Sequence, residues 1–227
     1  MTQEKKLMTD KIAIFDLDGT LLNTLGDLAH AANETLKTFG LPTHPEEAYK
    51  HFIGRGRTNL IRNCSGLTDE AQIEELCKVN DRLYGECYRD RTAAYPGVRE
   101  SLEAIQAAGI PMAVLSNKNH DMTCRLVEEC LEGIRFVAVF GKRPGHPLKP
   151  DPASVFEILD TAGIEAARCI YFGDSGVDMQ TACAAGCYPV GVTWGFRDEQ
   201  ELLAGGAKTI LHSAAEIAET VKAFLET

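Results

Sequence analysis

The sequence predicts a three-layer α/β/α domain on a parallel sheet, with a small helical domain inserted near its start. Three observations carry that reading: short apolar runs alternate with helical patterns from residue 98 onward, most runs end in polar or glycine-containing turns, and residues 24–94 hold no convincing strand. Strands separated by helices require right-handed crossovers, and such crossovers cover both faces of a parallel sheet.

The first element is the apolar run 12–15, which reads as a buried strand ending at Asp16-Leu17-Asp18-Gly19-Thr20. Further strands are expected at 111–115, 136–140, 169–172 and 189–192, all short and rich in apolar residues. Helical spacing is found at 98–108, 121–131, 153–162 and 177–185, with 214–225 closing the chain. The interruption after the first strand shows helical spacing at 27–39 and 69–88, and it is too long for a loop. Residues 1–23 and 95–227 are therefore assigned to the α/β core and residues 24–94 to a helical cap, with Pro96-Gly97 marking the return.

Composition narrows the function classes. With 44% hydrophobic and 25% charged residues, the 227-residue chain has an ordinary globular balance. Its formal charge of −10 excludes a net basic nucleic-acid footprint. No apolar run reaches the ~18 residues that argue for a membrane span, and residues 1–10 are polar with no signal-peptide apolar stretch, so a cytoplasmic location is expected. The eight cysteines form no CxxC pair and the six histidines no metal-ligand pair, so reduced thiols are expected.

The chemistry is concentrated where strands end. Asp16 and Asp18 are two residues apart at the close of an apolar strand, so both carboxylates can address one site, and Gly19 permits a sharp turn after them. An acidic turn closing a strand is the plainer alternative. Ser116-Asn117-Lys118 follows the strand at 111–115. Its hydroxyl and backbone N–H groups could bind phosphoryl oxygens, and helix capping is the other use of such residues. Lys149-Pro150-Asp151-Pro152 precedes a helix, where stiff prolines can hold Lys149 as a point charge for phosphate or simply start the helix. Gly173-Asp174-Ser175-Gly176-Val177-Asp178 brings further carboxylates to the same sheet edge as Asp16, an oxygen-rich set suited to Mg²⁺; Asp174 and Asp178 also fit a capped helix start.

The order DxDGT, Ser-Asn, Lys-Pro, GDSxxD resembles the haloacid dehalogenase superfamily of phosphohydrolases, whose core is Rossmann-like, and the helical insert resembles that superfamily's α-helical cap. The first motif together with Val192-Thr193-Trp194-Gly195-Phe196 is similar to phosphoglycolate phosphatases and their relatives. The resemblance implies that Asp16 is the nucleophile, forming an aspartyl phosphate, and that Asp18 is the general acid and base. It implies that Ser116 and Asn117 hold phosphoryl oxygens and that Lys149 offsets negative charge. Mg²⁺ would be ligated by Asp16, the Asp18 carbonyl and Asp174, with Asp178 in support. An acid at Asp18 argues against dehalogenation, whose enzymes lack one there.

Substrate choice is expected in the cap, where Gly54-Arg55-Gly56-Arg57 resembles the specificity loop of phosphoglycolate phosphatases and could meet a substrate carboxylate; a solvated turn before a helix at 58–64 is the alternative. Two arginines there depart from the family's commonest pattern, which leaves glycolate open as the leaving group. Three functions stand at this point: a Mg²⁺-dependent phosphatase for 2-phosphoglycolate or another small phosphate, including pyrophosphate or a nucleotide; a phosphomutase of the β-phosphoglucomutase type; and a non-catalytic binding protein. The expected partner is a small phosphorylated metabolite, with no nucleic acid or membrane, and the protein is expected to be a monomer or homodimer.

Overall fold

The computed structural model describes residues 10–226; most of the polar amino-terminal stretch noted above and Thr227 lie outside that range. The chain opens with β1 (Ile12–Phe15), whose four residues are all buried. It passes through a two-residue strand, β2 (Leu22–Asn23), into four helices: α1 (Leu25–Thr38), α2 (Tyr49–Phe52), α3 (Arg57–Ser65) and α4 (Glu70–Cys87). The return strand β3 (Ala93–Ala94) pairs antiparallel with β2, so entry and exit of the helical segment are joined at one stem. That strand falls inside residues 24–94, where sequence spacing gives no strand; its two alanines carry no alternation to read.

The remainder alternates regularly. It comprises α5 (Val98–Ala107), β4 (Met112–Asn119), α6 (His120–Cys130), β5 (Ala138–Lys142), α7 (Ala153–Ala162), β6 (Cys169–Gly173), α8 (Gly176–Ala185), β7 (Tyr188–Val192), α9 (Glu199–Gly205), β8 (Thr209–Leu211) and α10 (Ile217–Leu225). The six long-range strands form one parallel sheet in the order β5-β4-β1-β6-β7-β8. Five of them are the strands expected from sequence. The sixth, β8, and the helix α9 before it are absent from that reading, because Thr209-Ile210-Leu211 is only three residues long and offers too short a pattern. A second difference is that β4 continues to Asn119, so Ser116, Asn117 and Lys118 lie on an extension of the strand with a shifted register against β5.

Side-chain alternation divides the core by sheet face. Ile12 and Ile14 face one layer with Leu115, Tyr171 and, from α7, Val155 and Ile158. Ala13 and Phe15 face the other with Phe172, Leu102 of α5 and Ile217 of α10. The Phe15 and Phe172 rings stack with centroids 5.0 Å apart; truncating a buried phenylalanine of this kind costs roughly 3–5 kcal/mol.

In the helical segment, α1 packs on α4 and buries Leu36, Ile73 and Cys77. Tyr49, also buried, donates its hydroxyl to Asn33 Oδ1. The α4 start is fixed by Asp69, whose carboxylate accepts from the Gln72 N–H. All eight cysteines are free thiols. No helix among the described residues is long and apolar enough to cross a membrane.

Candidate active site at the carboxyl edge of the sheet

The central strand β1 has β4 on one side and β6 on the other, and the connection out of β1 runs to β4 while that out of β6 runs the opposite way to β7. Such a switch point opens a crevice beyond the strand ends. Asp16 is the first residue past β1, and its N–H donates to Phe172 O, which registers it beside the end of β6. The chain then folds back tightly: Leu17 O accepts the N–H groups of Thr20, Leu21 and Leu22. Gly19 sits at φ +87°, and a Cβ there would meet Asp174 Oδ2 at 2.2 Å. The glycine thus serves both the turn and the close approach of a second carboxylate.

Asp16 is buried, and Lys149 Nζ stands 2.8 Å from its Oδ1. Lys149 also contacts Asp178 Oδ1 at 2.7 Å and donates to Leu115 O at 3.0 Å. The Asn117 side chain fixes the lysine's backbone: its Oδ1 accepts the Lys149 N–H and its Nδ2 donates to Lys149 O. Asp178 uses its second oxygen to accept from the Ser175 N–H in the capping box that starts α8. Both of its oxygens are therefore committed within the protein.

Asp174 follows β6 and is buried. Its Oδ2 accepts from the Phe196 N–H at 2.7 Å, and Thr20 Oγ1 approaches Oδ1 at 3.4 Å. Asp16, Asp174 and Asp178 offer oxygens that all lie within 4.8 Å of one another, and no other cluster of this kind occurs among the described residues. Burial, reinforced by Asp178 and opposed by Lys149, pushes the Asp16 carboxyl from 3.8 up to about 7. Burial, with Asp16 and Asp178 adding to it, likewise raises Asp174 well above the ordinary carboxylate range. Burial works against the Lys149 charge, but Asp16 and Asp178 overcome it and hold its pKa well above the usual value. Three carboxylates thus face one ammonium, and the all-oxygen set with its surplus negative charge fits a hard divalent cation such as Mg²⁺.

Asp18 points differently. Its Oδ1 accepts from Thr24 Oγ1 at 2.6 Å and from Lys118 Nζ at 2.8 Å, while Ser116 Oγ lies 3.4 Å from its Oδ2. It sits beside Asp16 on the wall of a cavity of about 350 Å³ between the sheet edge and the helical segment, lined also by Lys149, Asp174, Tyr84 and Leu60.

The loop at 54–57 divides. Gly54, Gly56 and Arg57 line this cavity, whereas Arg55 lines a neighbouring cleft with Gln180 and Glu201. Arg57, the first residue of α3, is engaged by Asp81 and by Glu74 at 3.1 Å. The loop is tied to the core by Asn117 Nδ2, which donates to Gly54 O, and by Arg197, which donates to Lys50 O and Ile53 O. Sequence reasoning did not single out Lys118, Tyr84 or Arg197. Lys118 had a signal in its place directly after Ser116-Asn117; Tyr84 and Arg197 reach the cavity only through tertiary packing.

Comparison with known proteins agrees with this architecture. Residues 13–192 match the family model described as haloacid dehalogenase-like hydrolase. A protein named phosphoglycolate phosphatase from Pseudomonas syringae pv. tomato is 36% identical over 193 residues, covering 82% of this chain and 70% of its own. Another of that name, from Chromobacterium violaceum, is 32% identical over 219 residues, covering 93% and 96%. Among solved structures, a candidate phosphoglycolate phosphatase from Lactobacillus delbrueckii subsp. bulgaricus superposes with a TM-score of 0.86 at 28% identity, over 94% of this chain and 99% of that one. A candidate β-phosphoglucomutase from Bacteroides vulgatus shares the fold, with a TM-score of 0.78 at 22% identity, over 98% and 93%. With the family model spanning most of its length and the paired aspartates where β1 ends, the chain belongs to the haloacid dehalogenase-like hydrolases.

Proposed function

We propose that the protein is a Mg²⁺-dependent phosphatase that hydrolyses a small phosphomonoester, 2-phosphoglycolate in the first place, through an aspartyl phosphate on Asp16. The observation that carries the reading is the placement of Asp16 and Asp18 on one cavity wall, with Lys149 and Asp174 on either side of the nucleophile. The name shared by relatives at 32–36% identity supports the substrate.

Asp16 attacks phosphorus and the ester P–O bond breaks. Asp18 gives its proton to the departing alkoxide oxygen. In the second half-reaction Asp18 takes a proton from water, which attacks phosphorus and releases phosphate and the free Asp16 carboxylate. An anionic nucleophile and a phosphate dianion repel each other, so positive charge fixed beside Asp16 lowers the cost of their approach. Lys149 supplies part of it, held by Asp178 on the far side. Asp16, Asp174 and the main-chain carbonyl of Asp18 would hold Mg²⁺, and Asp178 would not, since Ser175 and Lys149 occupy its oxygens. Bound there, the cation supplies Lewis-acid neutralisation of the phosphoryl oxygens. Ser116 and the Asn117 main chain would bind the remaining phosphoryl oxygens. Residues 24–94 act as a cap over the core of 1–23 and 95–227, shielding the reacting groups from bulk water.

Phosphate release from 2-phosphoglycolate, pyrophosphate, nucleotides and hexose phosphates, each with Mg²⁺ or EDTA, tests the proposal. Mg²⁺-dependent release with the highest kcat/KM on 2-phosphoglycolate is expected. Isomerisation of a hexose phosphate without release contradicts a phosphatase.

A further inference from the structure

We infer that Lys118 is the residue that receives the carboxylate of the leaving portion of the substrate, with the Tyr84 hydroxyl beside it. The inference rests on the phosphatase reading above and moves recognition of the leaving group from the arginines of the cap loop to a core lysine.

Five cations line the cavity, and among them Lys118 alone pairs with Asp18. Lys149 is held by Asp16, Asp178 and Leu115 O. Arg57 is spent on Asp81 and Glu74. Arg125 pairs with Glu129 and lies over the Tyr88 ring. Arg197 is bound to Lys50 O, Ile53 O and Glu201. Lys118, like Arg125, has one carboxylate partner among the described residues, but that partner is Asp18 in the site itself, and an ammonium has three donors.

Its position suits the role. The Lys118 side chain is 8% exposed, and its Nζ lies 4.8 Å from the centroid of the Tyr84 ring, which approaches from α4 on the opposite wall. The Tyr84 hydroxyl is buried beside it and faces the Lys118 ammonium. Lys118 Nζ is 2.8 Å from Oδ1 of Asp18. A general acid must itself reach the ester oxygen at hydrogen-bond distance, so Lys118 is one hydrogen bond beyond the departing atom. A single methylene separates ester oxygen from carboxylate in 2-phosphoglycolate, which brings that carboxylate within reach of the ammonium. Asp18 also accepts from Thr24, so it retains a fixing hydrogen bond when Lys118 turns to the substrate.

The test compares kcat/KM for 2-phosphoglycolate with that for ethyl phosphate, of similar size but without the carboxylate, in wild type, Lys118→Met and Tyr84→Phe. Lys118→Met is expected to lower the value for 2-phosphoglycolate on the order of 10- to 100-fold more than that for ethyl phosphate, as loss of a charge-assisted hydrogen bond requires. Tyr84→Phe, which removes one hydroxyl and keeps the fold should Lys118→Met fail to, is expected to shift the same ratio by roughly 2- to 10-fold. A wild-type preference for 2-phosphoglycolate with an unchanged ratio in both variants overturns the inference and leaves the phosphatase reading intact. Selective loss in Arg55→Ala with none in Lys118→Met also overturns it. A wild type that hydrolyses neither ester overturns both.

Discussion

The Lys149 ammonium stands 2.8 Å from Oδ1 of Asp16, and neither residue could be buried alone at this depth. The pair is anchored by Asp178, whose carboxylate ties Lys149 to the first turn of α8. Asp16, its counter-charge Lys149 and the start of α8 are thereby coupled at one edge of the sheet.

Asp178→Asn is expected to weaken that anchor. The buried ammonium keeps Asp16 but loses one charge-assisted hydrogen bond, a cost of roughly 1.5–3 kcal/mol. Denaturant unfolding should show the loss of stability; an unchanged midpoint would mean that Asp178 does not brace Lys149.

Asp18→Asn should slow hydrolysis of alkyl phosphates by about 10²- to 10⁴-fold, the usual contribution of a general acid. The loss should be smaller with p-nitrophenyl phosphate, whose leaving group departs without a proton. Equal losses of kcat/KM, which reports the steps up to the aspartyl phosphate and not its shared hydrolysis, would remove Asp18 from the acid role.

The pH dependence of Mg²⁺ binding follows from Asp16. Its folded value of about 7 lies above the ordinary 3.8, so below about pH 7 a proton must be displaced by the cation. Mg²⁺ affinity measured by calorimetry should rise by at least about tenfold per unit below that pH, since Asp174, raised as well, also has a proton to give up. For EDTA-treated protein the same shift contributes stability that is full below about pH 4 and is lost as pH rises through about 7. Thermal melts should therefore show the largest Mg²⁺ stabilisation at pH 8.

The sequence made the architecture legible where patterns were long. Residues 12–15 read as a buried strand and proved to be the sheet's centre, because a strand covered on both faces is apolar throughout. The motifs at 16–18, 116–117, 149 and 174–178 could be located because each lies where an apolar strand pattern ends or a helix pattern begins, and the parallel sheet brings those segments to one edge. The three-residue β8 and the two-residue β3 lacked enough positions to show a period. The fate of the cap-loop arginines was not legible either. Whether Arg57 faces a ligand or Asp81 depends on where α4 packs, and no local spacing encodes that.

Covalent labelling of Asp16 is the most direct test of the central claim. Acid quench during turnover of 2-phosphoglycolate, followed by peptide mass spectrometry, should find a phosphoryl adduct on Asp16 that forms and decays as fast as product appears, and Asp16→Asn should show neither adduct nor activity. An adduct on another side chain, or substantial turnover by Asp16→Asn, would contradict the account.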